Sequence, residues 1–105
     1  MSTELNPMYL EKIRGYPYKN ISGIAQEFGV TTETVKKRLT ELREQIKKGR
    51  YSRYAVISDG KIVLINVYVF IDFLTYRQQL NDVNMAKCVP LFDPRTVAEM
   101  CGWEV

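Results

Sequence analysis

A mainly α-helical fold with one small β-hairpin is what this sequence predicts, on three observations. Residues 21–47 carry apolar side chains at three- and four-residue spacing in two blocks separated by a Gly-containing turn. Residues 51–65 switch to aromatic and β-branched composition around Asp59-Gly60, which is hairpin chemistry. A further helical pattern then runs over 67–80. Ala25, Gly29 and Val35 give the first stretch its form. They supply a small residue where two helices touch, a residue tolerant of unusual φ in the turn, and an apolar anchor on the second helix.

Taken in order, residues 1–15 read as a lead-in helix. Asn6 caps it, Pro7 occupies the first turn, Met8 and Ile13 face inward, and Gly15 closes it. Tyr16 to Tyr18 is extended, because Pro17 disfavours a helical conformation at Tyr16. Asn20 caps a helix over about 21–28 whose inner face is Ile21, Ile24, Ala25 and Phe28. Gly29 ends it and Thr31 caps the next, in which Val35, Leu39, Leu42 and Ile46 form the core stripe. Gly49 stops that helix behind Lys47 and Lys48, whose charge suits its C-terminal dipole.

Tyr51 to Ile57 and Lys61 to Ile65 then read as two strands joined at Asp59-Gly60. Asn66 caps a helix over about 67–80, with Val67, Phe70, Ile71 and Leu74 inward and Asp72, Arg77, Gln78 and Gln79 on its polar side. Residues 81–84 break the pattern, with room for one more helical turn before Cys88. Asp93 and Pro94 start a last short helix closed by Gly102. A helix-turn-helix followed directly by a hairpin is a winged helix. The expected organisation is therefore a winged helix-turn-helix domain over 1–65 (motif about 21–47, wing about 51–65) and an added C-terminal helical segment over 66–105.

Composition narrows the function. At 105 residues with 46% apolar and 26% charged residues, the chain is one globular domain and not a disordered one. It has no run of about 18–20 apolar residues and no basic-then-apolar leader, so a cytoplasmic location is expected. There is no histidine, which removes Ser-His-Asp and Cys-His catalysis and the common zinc sets; no metal, cofactor or small-molecule substrate is expected, and the chain is not expected to be an enzyme. Cys88 and Cys101 lie far apart and read as reduced, partly buried thiols, with a disulfide or redox pair as the alternative.

Charge is unevenly placed. Residues 36–53 hold eight cations (Lys36, Lys37, Arg38, Arg43, Lys47, Lys48, Arg50 and Arg53) against Glu41 and Glu44, whereas the flanks are slightly acidic. Such a block on a helix and its wing points to double-stranded DNA. The groove-facing candidates on the second helix are Thr32, Glu33, Lys36, Lys37 and Thr40, with Glu33 able to accept from a cytosine amine. Lys48, Arg50, Arg53 and Lys61 are the candidates for backbone and wing contacts. Arg43 is set aside for a carboxylate on its own helix. Tyr51 and Tyr54 interleave with arginines, a pattern that serves either packing at the rim or stacking on single-stranded bases. In the last segment Met100 and Trp103 are either docking residues for the short helix or anchors for a partner.

The stretch IAQEFGVTTETVKKRLTEL with its basic wing around DGK resembles the winged helix-turn-helix proteins of phages and mobile elements, meaning excisionases and small phage regulators. The resemblance covers about residues 20–65. It implies an architectural factor that binds repeated sites, bends DNA and acts with further copies of itself and with an integrase or polymerase. A transcriptional regulator is the competing role within the same class, and a winged-helix protein adaptor or inhibitor that binds no DNA competes from another. The C-terminal forty residues depart from the pattern and bring dimerisation or partner contact into question.

Overall fold

In a computed structural model of the chain, residues 17–101 are described. They form strand β1 (Tyr18–Lys19), helices α1 (Ile21–Phe28) and α2 (Thr32–Lys47), a 3-10 turn (Arg53–Ala55), and strands β2 (Val56–Asp59) and β3 (Ile62–Asn66). Helix α3 (Val67–Leu80), a second 3-10 turn (Met85–Cys88) and helix α4 (Pro94–Met100) follow. The lead-in helix expected over 1–15 lies outside the described residues, as does Trp103. The protein is mainly helical with one three-stranded antiparallel sheet. Among the described residues no helix is long and apolar enough to cross a membrane.

Local chemistry sets the helix ends. Asn20 Oδ1 accepts the Gly23 N–H at 2.7 Å and opens α1; Gly29, at φ 69°, closes it in the left-handed region that glycine enters without strain. Thr31 Oγ1 accepts the Thr34 N–H at 3.1 Å and opens α2. The two helices meet through Ile24 and Ala25 against Val35, Leu39 and Leu42, all buried. Gly49, at φ 93°, turns the chain at the end of α2, so that Arg50 and Tyr51 run back toward the core.

The sheet has the order β1-β3-β2. The extended segment read at 16–18 becomes part of it: Tyr18 pairs with Asn66 and Lys19 with Ile65, and the Val67 N–H donates to the Pro17 carbonyl at 2.7 Å. Two details of the hairpin differ from expectation. The first strand begins at Val56 rather than Tyr51, because the Tyr51 side chain is drawn inside and Ser52 Oγ caps a 3-10 turn at the Tyr54 N–H. The turn is one residue later than Asp59-Gly60. Asp59 pairs with Ile62, and Gly60, at φ 60°, is the first of two central residues ahead of Lys61.

Helix α3 starts as expected, with Asn66 Oδ1 accepting the Val69 N–H at 3.1 Å. Its burial does not follow a single stripe. Val67 to Phe70 are buried in succession, Phe73 is buried and Leu74 is exposed. The reason is that α3 is covered on two sides. Phe70 and Phe73 enter the core built by α1, α2 and β3, where Phe70 meets Phe28 edge-to-face at 5.2 Å. Tyr68 packs with Val97 and Ala98 of α4. The segment after residue 66 thus shares the core of the segment before it.

Asp72, expected on the polar side of α3, is instead 5% exposed. Its Oδ2 accepts the Tyr51 hydroxyl at 2.5 Å and the Arg50 Nη2 and Nε at 2.8 and 3.1 Å. Arg50 Nη1 donates to the Pro90 carbonyl at 2.8 Å. Burial, and then the hydrogen bond to Asp72, push the Tyr51 phenol well above the ordinary tyrosine range, so it remains a donor. Burial acts to lower the Arg50 guanidinium, and its bonds with Tyr51 and Asp72 carry it above its usual value all the same. A second bridge joins α2 to α3: Arg77 Nε and Nη2 donate to Glu41 Oε1 and Oε2 at 2.6 and 2.9 Å.

Removing one member of the first network strands the others in a largely buried site. Asp72→Ala is expected to lower the unfolding free energy by about 3–5 kcal/mol, while the combined Arg50→Met, Tyr51→Phe and Asp72→Leu replacement regains most of it. Urea denaturation of the single, partial and triple variants measures both numbers. The second network predicts an acid response. The Arg77 hydrogen bond holds the Glu41 carboxyl below its ordinary value of 4.5 against the opposing effect of burial, with the Arg77 and Arg38 charges adding. A carboxyl lowered in the fold contributes stability that is present above its unfolded pKa and lost as pH falls through the folded one. Glu41→Gln should therefore be less stable than wild type at neutral pH, with the gap closing below about pH 4.5. A gap that stays constant down to about pH 3, in urea midpoints measured side by side, would exclude the ionised bridge as its source.

Candidate nucleic-acid interface

Helix α2 buries Val35, Leu39, Leu42 and Gln45, with Ile46 half-buried. At about 100° per residue, the side opposite this stripe is fixed. It carries Glu33, Lys37, Thr40 and Glu44, with Thr32 in the first turn, and all five are exposed. Lys36 lies 3.7 Å from Glu33 and Lys47 3.4 Å from Glu44, pairs in open solvent that hold the cations only weakly. Lys37, Lys48 and Lys61 have no ion-pair partner among the described residues.

The two flanks of α2 differ. On one, Arg38 and Glu41 turn toward α3, where Glu41 binds Arg77 and lies 3.5 Å from Arg38. On the other, Lys36, Arg43 and Lys47 project together. Arg43 Nη2 donates to Ser58 Oγ of β2 at 3.2 Å. Arg43 was expected to pair within its own helix; it reaches the hairpin instead and ties helix and hairpin into one surface. The pairing was hidden from the sequence because Ser58 lies 15 residues from Arg43 and meets it only in the folded chain.

The hairpin presents two of its cations to solvent. Lys61 sits in the turn, and Arg53, in the first 3-10 turn, stacks 5.0 Å above the Tyr54 ring while its Nη2 donates to the Tyr54 hydroxyl at 2.8 Å. Tyr54 is exposed and Tyr51 is buried, so the paired tyrosines of the sequence have separate surroundings. The Tyr18 hydroxyl donates to the Tyr54 carbonyl at 2.9 Å and fastens β1 to this turn. The outer face of the hairpin carries Ile57 and Ile62, both exposed, beside Leu64 and Asp59.

Arg50 departs from its expected place. Its side chain is 10% exposed and bound to Asp72, so it is an interior residue at the junction of α2 with α3 and not part of the basic surface. Arg38 is half-buried and directed to Glu41. The other six cations of 36–53 are exposed. Lys48 caps the C-terminal end of α2 and stays in solvent.

At the C-terminal end, Met100 is exposed, and Cys88 and Cys101 are free exposed thiols rather than partly buried ones. They fall on a 3-10 turn and a helix end, which have little covering them. Comparison with protein-family models, with curated proteins and with solved structures gives no match to this chain.

Proposed function

We propose that the protein binds double-stranded DNA as a winged helix-turn-helix factor. In this reading α2 lies in the major groove and the hairpin lies on the adjacent backbone. The observation that carries the proposal is the joined surface of α2 and the hairpin. Exposed Lys36, Lys37 and Thr40 continue through Arg43 and its bond to Ser58 toward Arg53 and Lys61. The order of elements supports it: two capped helices joined by a tight turn, then a hairpin, with a short strand before α1 completing the sheet. Lys36, Lys37, Thr32, Glu33 and Thr40 are the base-edge candidates. Arg43, Lys48, Arg53 and Lys61 are suited to phosphates. Arg50 is withdrawn from the contact set, because its guanidinium is already spent on Asp72 and the Pro90 carbonyl.

Within this function the role we propose is that of an excisionase-like architectural factor, a reading that rests on the resemblance of residues 20–65. Footprinting across the native locus separates the roles. Several closely spaced sites with DNA bending mark the architectural factor, and a single operator overlapping a promoter marks a transcriptional regulator.

Lys37→Ala and Arg53→Ala should each weaken binding to a cognate duplex by roughly 5- to 100-fold at about 0.1 M salt, without changing the urea midpoint. Where the lost contact is to a phosphate, the slope of log affinity against log salt should fall by about 1. Mobility-shift titrations on tiled fragments of the native locus read both quantities. If no fragment is retarded at low salt, the protein adaptor replaces the DNA-binding reading. If both variants bind as wild type, the contact surface lies elsewhere.

A further inference from the structure

Between α3 and the segment leading into α4 lies a cavity of about 240 Å³. Its walls include Ile71, Leu91, Val97 and Met100, and Leu91 and Met100 are 91% and 65% exposed. Large apolar side chains this exposed beside a concave space mark a candidate binding surface. Two carboxylates share the lining, Asp72 and Asp93. Asp93 caps α4 and accepts the Arg95 N–H and the Thr96 hydroxyl, its side chain remaining at the surface.

Asp72 is the informative one. The residue is 95% removed from solvent, and all three hydrogen bonds to its carboxylate end on the same oxygen, Oδ2. Among the described residues none donates a hydrogen bond to Oδ1, and Oδ1 is not among the unpaired polar atoms sealed from solvent. A carboxylate oxygen has acceptor capacity for about two donors, and Oδ1 keeps that capacity open toward solvent. Asp72 lines the cavity, and Oδ1 is its oxygen not engaged by Arg50 or Tyr51. Among the described residues no lysine or arginine lines this space; Arg50 approaches Asp72 from the Oδ2 side.

We propose that this cavity is a binding site for a small amphipathic amine. An aliphatic or aromatic body fills the space among Ile71, Leu91, Val97 and Met100, and the ammonium group donates to Asp72 Oδ1, with Asp93 at the rim supplying a second negative charge. The volume suits a fragment of about ten non-hydrogen atoms rather than a drug-sized ligand, whose pockets start near about 300 Å³. A carboxylate or phosphate ligand would meet the Asp93 charge at the rim, with Arg50, the cation beside Asp72, already bound to that carboxylate. A neutral alkane would leave Oδ1 unpaired. The site is independent of the DNA-binding surface and does not rest on that reading.

The probe is n-hexylamine as its ammonium ion, compared with n-hexanol and hexanoate on the full chain. Backbone amide resonances of 71–76 and 89–101 are followed by NMR during titration to about 10 mM, where a fragment-sized ligand is expected to saturate. The expected result is saturable shifts with hexylamine, at least tenfold weaker ones with hexanol, and none with hexanoate. Because Asp72 also holds the fold together, it is left intact. Asp93→Asn should reduce the preference for amine over alcohol. Thr75→Phe, at an exposed position on the cavity wall, should abolish binding with the urea midpoint unchanged. Equal binding of the three probes would overturn the proposal by making the cavity an unselective apolar sink. Absence of saturable shifts would overturn it outright. Binding that appears only in Trp103→Ala would assign the cavity to the chain's own C-terminal residues instead.

Discussion

The interaction on which the rest of the structure depends is the Asp72 carboxylate held by Arg50 and Tyr51. A carboxylate largely removed from solvent is tolerated only when paired and hydrogen-bonded, and here three donors converge on one oxygen. The donors belong to the link between α2 and the hairpin, and the acceptor belongs to α3. The same arginine continues to the Pro90 carbonyl, forty residues along the chain. One guanidinium thereby fixes the exit of α2, the position of α3 and the approach to α4. With Phe70 and Phe73 in the main core, the segment after residue 66 is part of the architecture that presents α2, rather than an appendage to it.

What was legible in the sequence was local. Asn20, Thr31, Asn66 and Asp93 all cap the helices they were read to cap, because a side chain bonding a backbone N–H two or three residues away needs no information from elsewhere. The α2 stripe was legible for a related reason. A helix covered on one side has one apolar period, and the opposite side follows by geometry. Helix α3 was legible in extent and not in orientation. Two covered sides erase the single stripe, so Leu74 was read as inward and Phe73 was passed over. Asp72 looked like any polar residue on a helix surface.

The arginines mark the same limit at the candidate site. Arg50 and Arg53 stand three residues apart in similar company, RYSRY, and nothing in that string distinguishes them. Gly49 and the acceptor on α3 do: the glycine turns the chain inward at Arg50, and the following 3-10 turn brings Arg53 out again beside Tyr54. Arg43 is the converse case, since its partner Ser58 is contributed by another element. Sequence reading located the basic block and could not sort its members, because the sorting is done by partners 15 to 22 residues away.

That sorting gives the block its direction. Of the cations between 36 and 53, two are drawn into bridges at the junction with α3: Arg38 meets Glu41 of its own helix, which also binds Arg77 of α3, and Arg50 meets Asp72 of α3. The cations on the hairpin flank of α2 meet a hydroxyl or solvent-exposed glutamates, which leave most of their charge unscreened by protein. On the α3 side of α2, Glu41 and Asp72 hold Arg38, Arg50 and Arg77 in part-buried bridges, while on the hairpin side Arg43 bonds a hydroxyl and Lys36 and Lys47 meet only exposed glutamates. Cations bound at the junction and cations left in solvent on the hairpin flank are two results of the same placement of α3. Moving the acceptors Glu41 and Asp72 off this interface would both loosen the fold and blur the one-sided field of the helix. For a surface whose proposed partner is a polyanion, that one-sidedness determines which face of α2 approaches first.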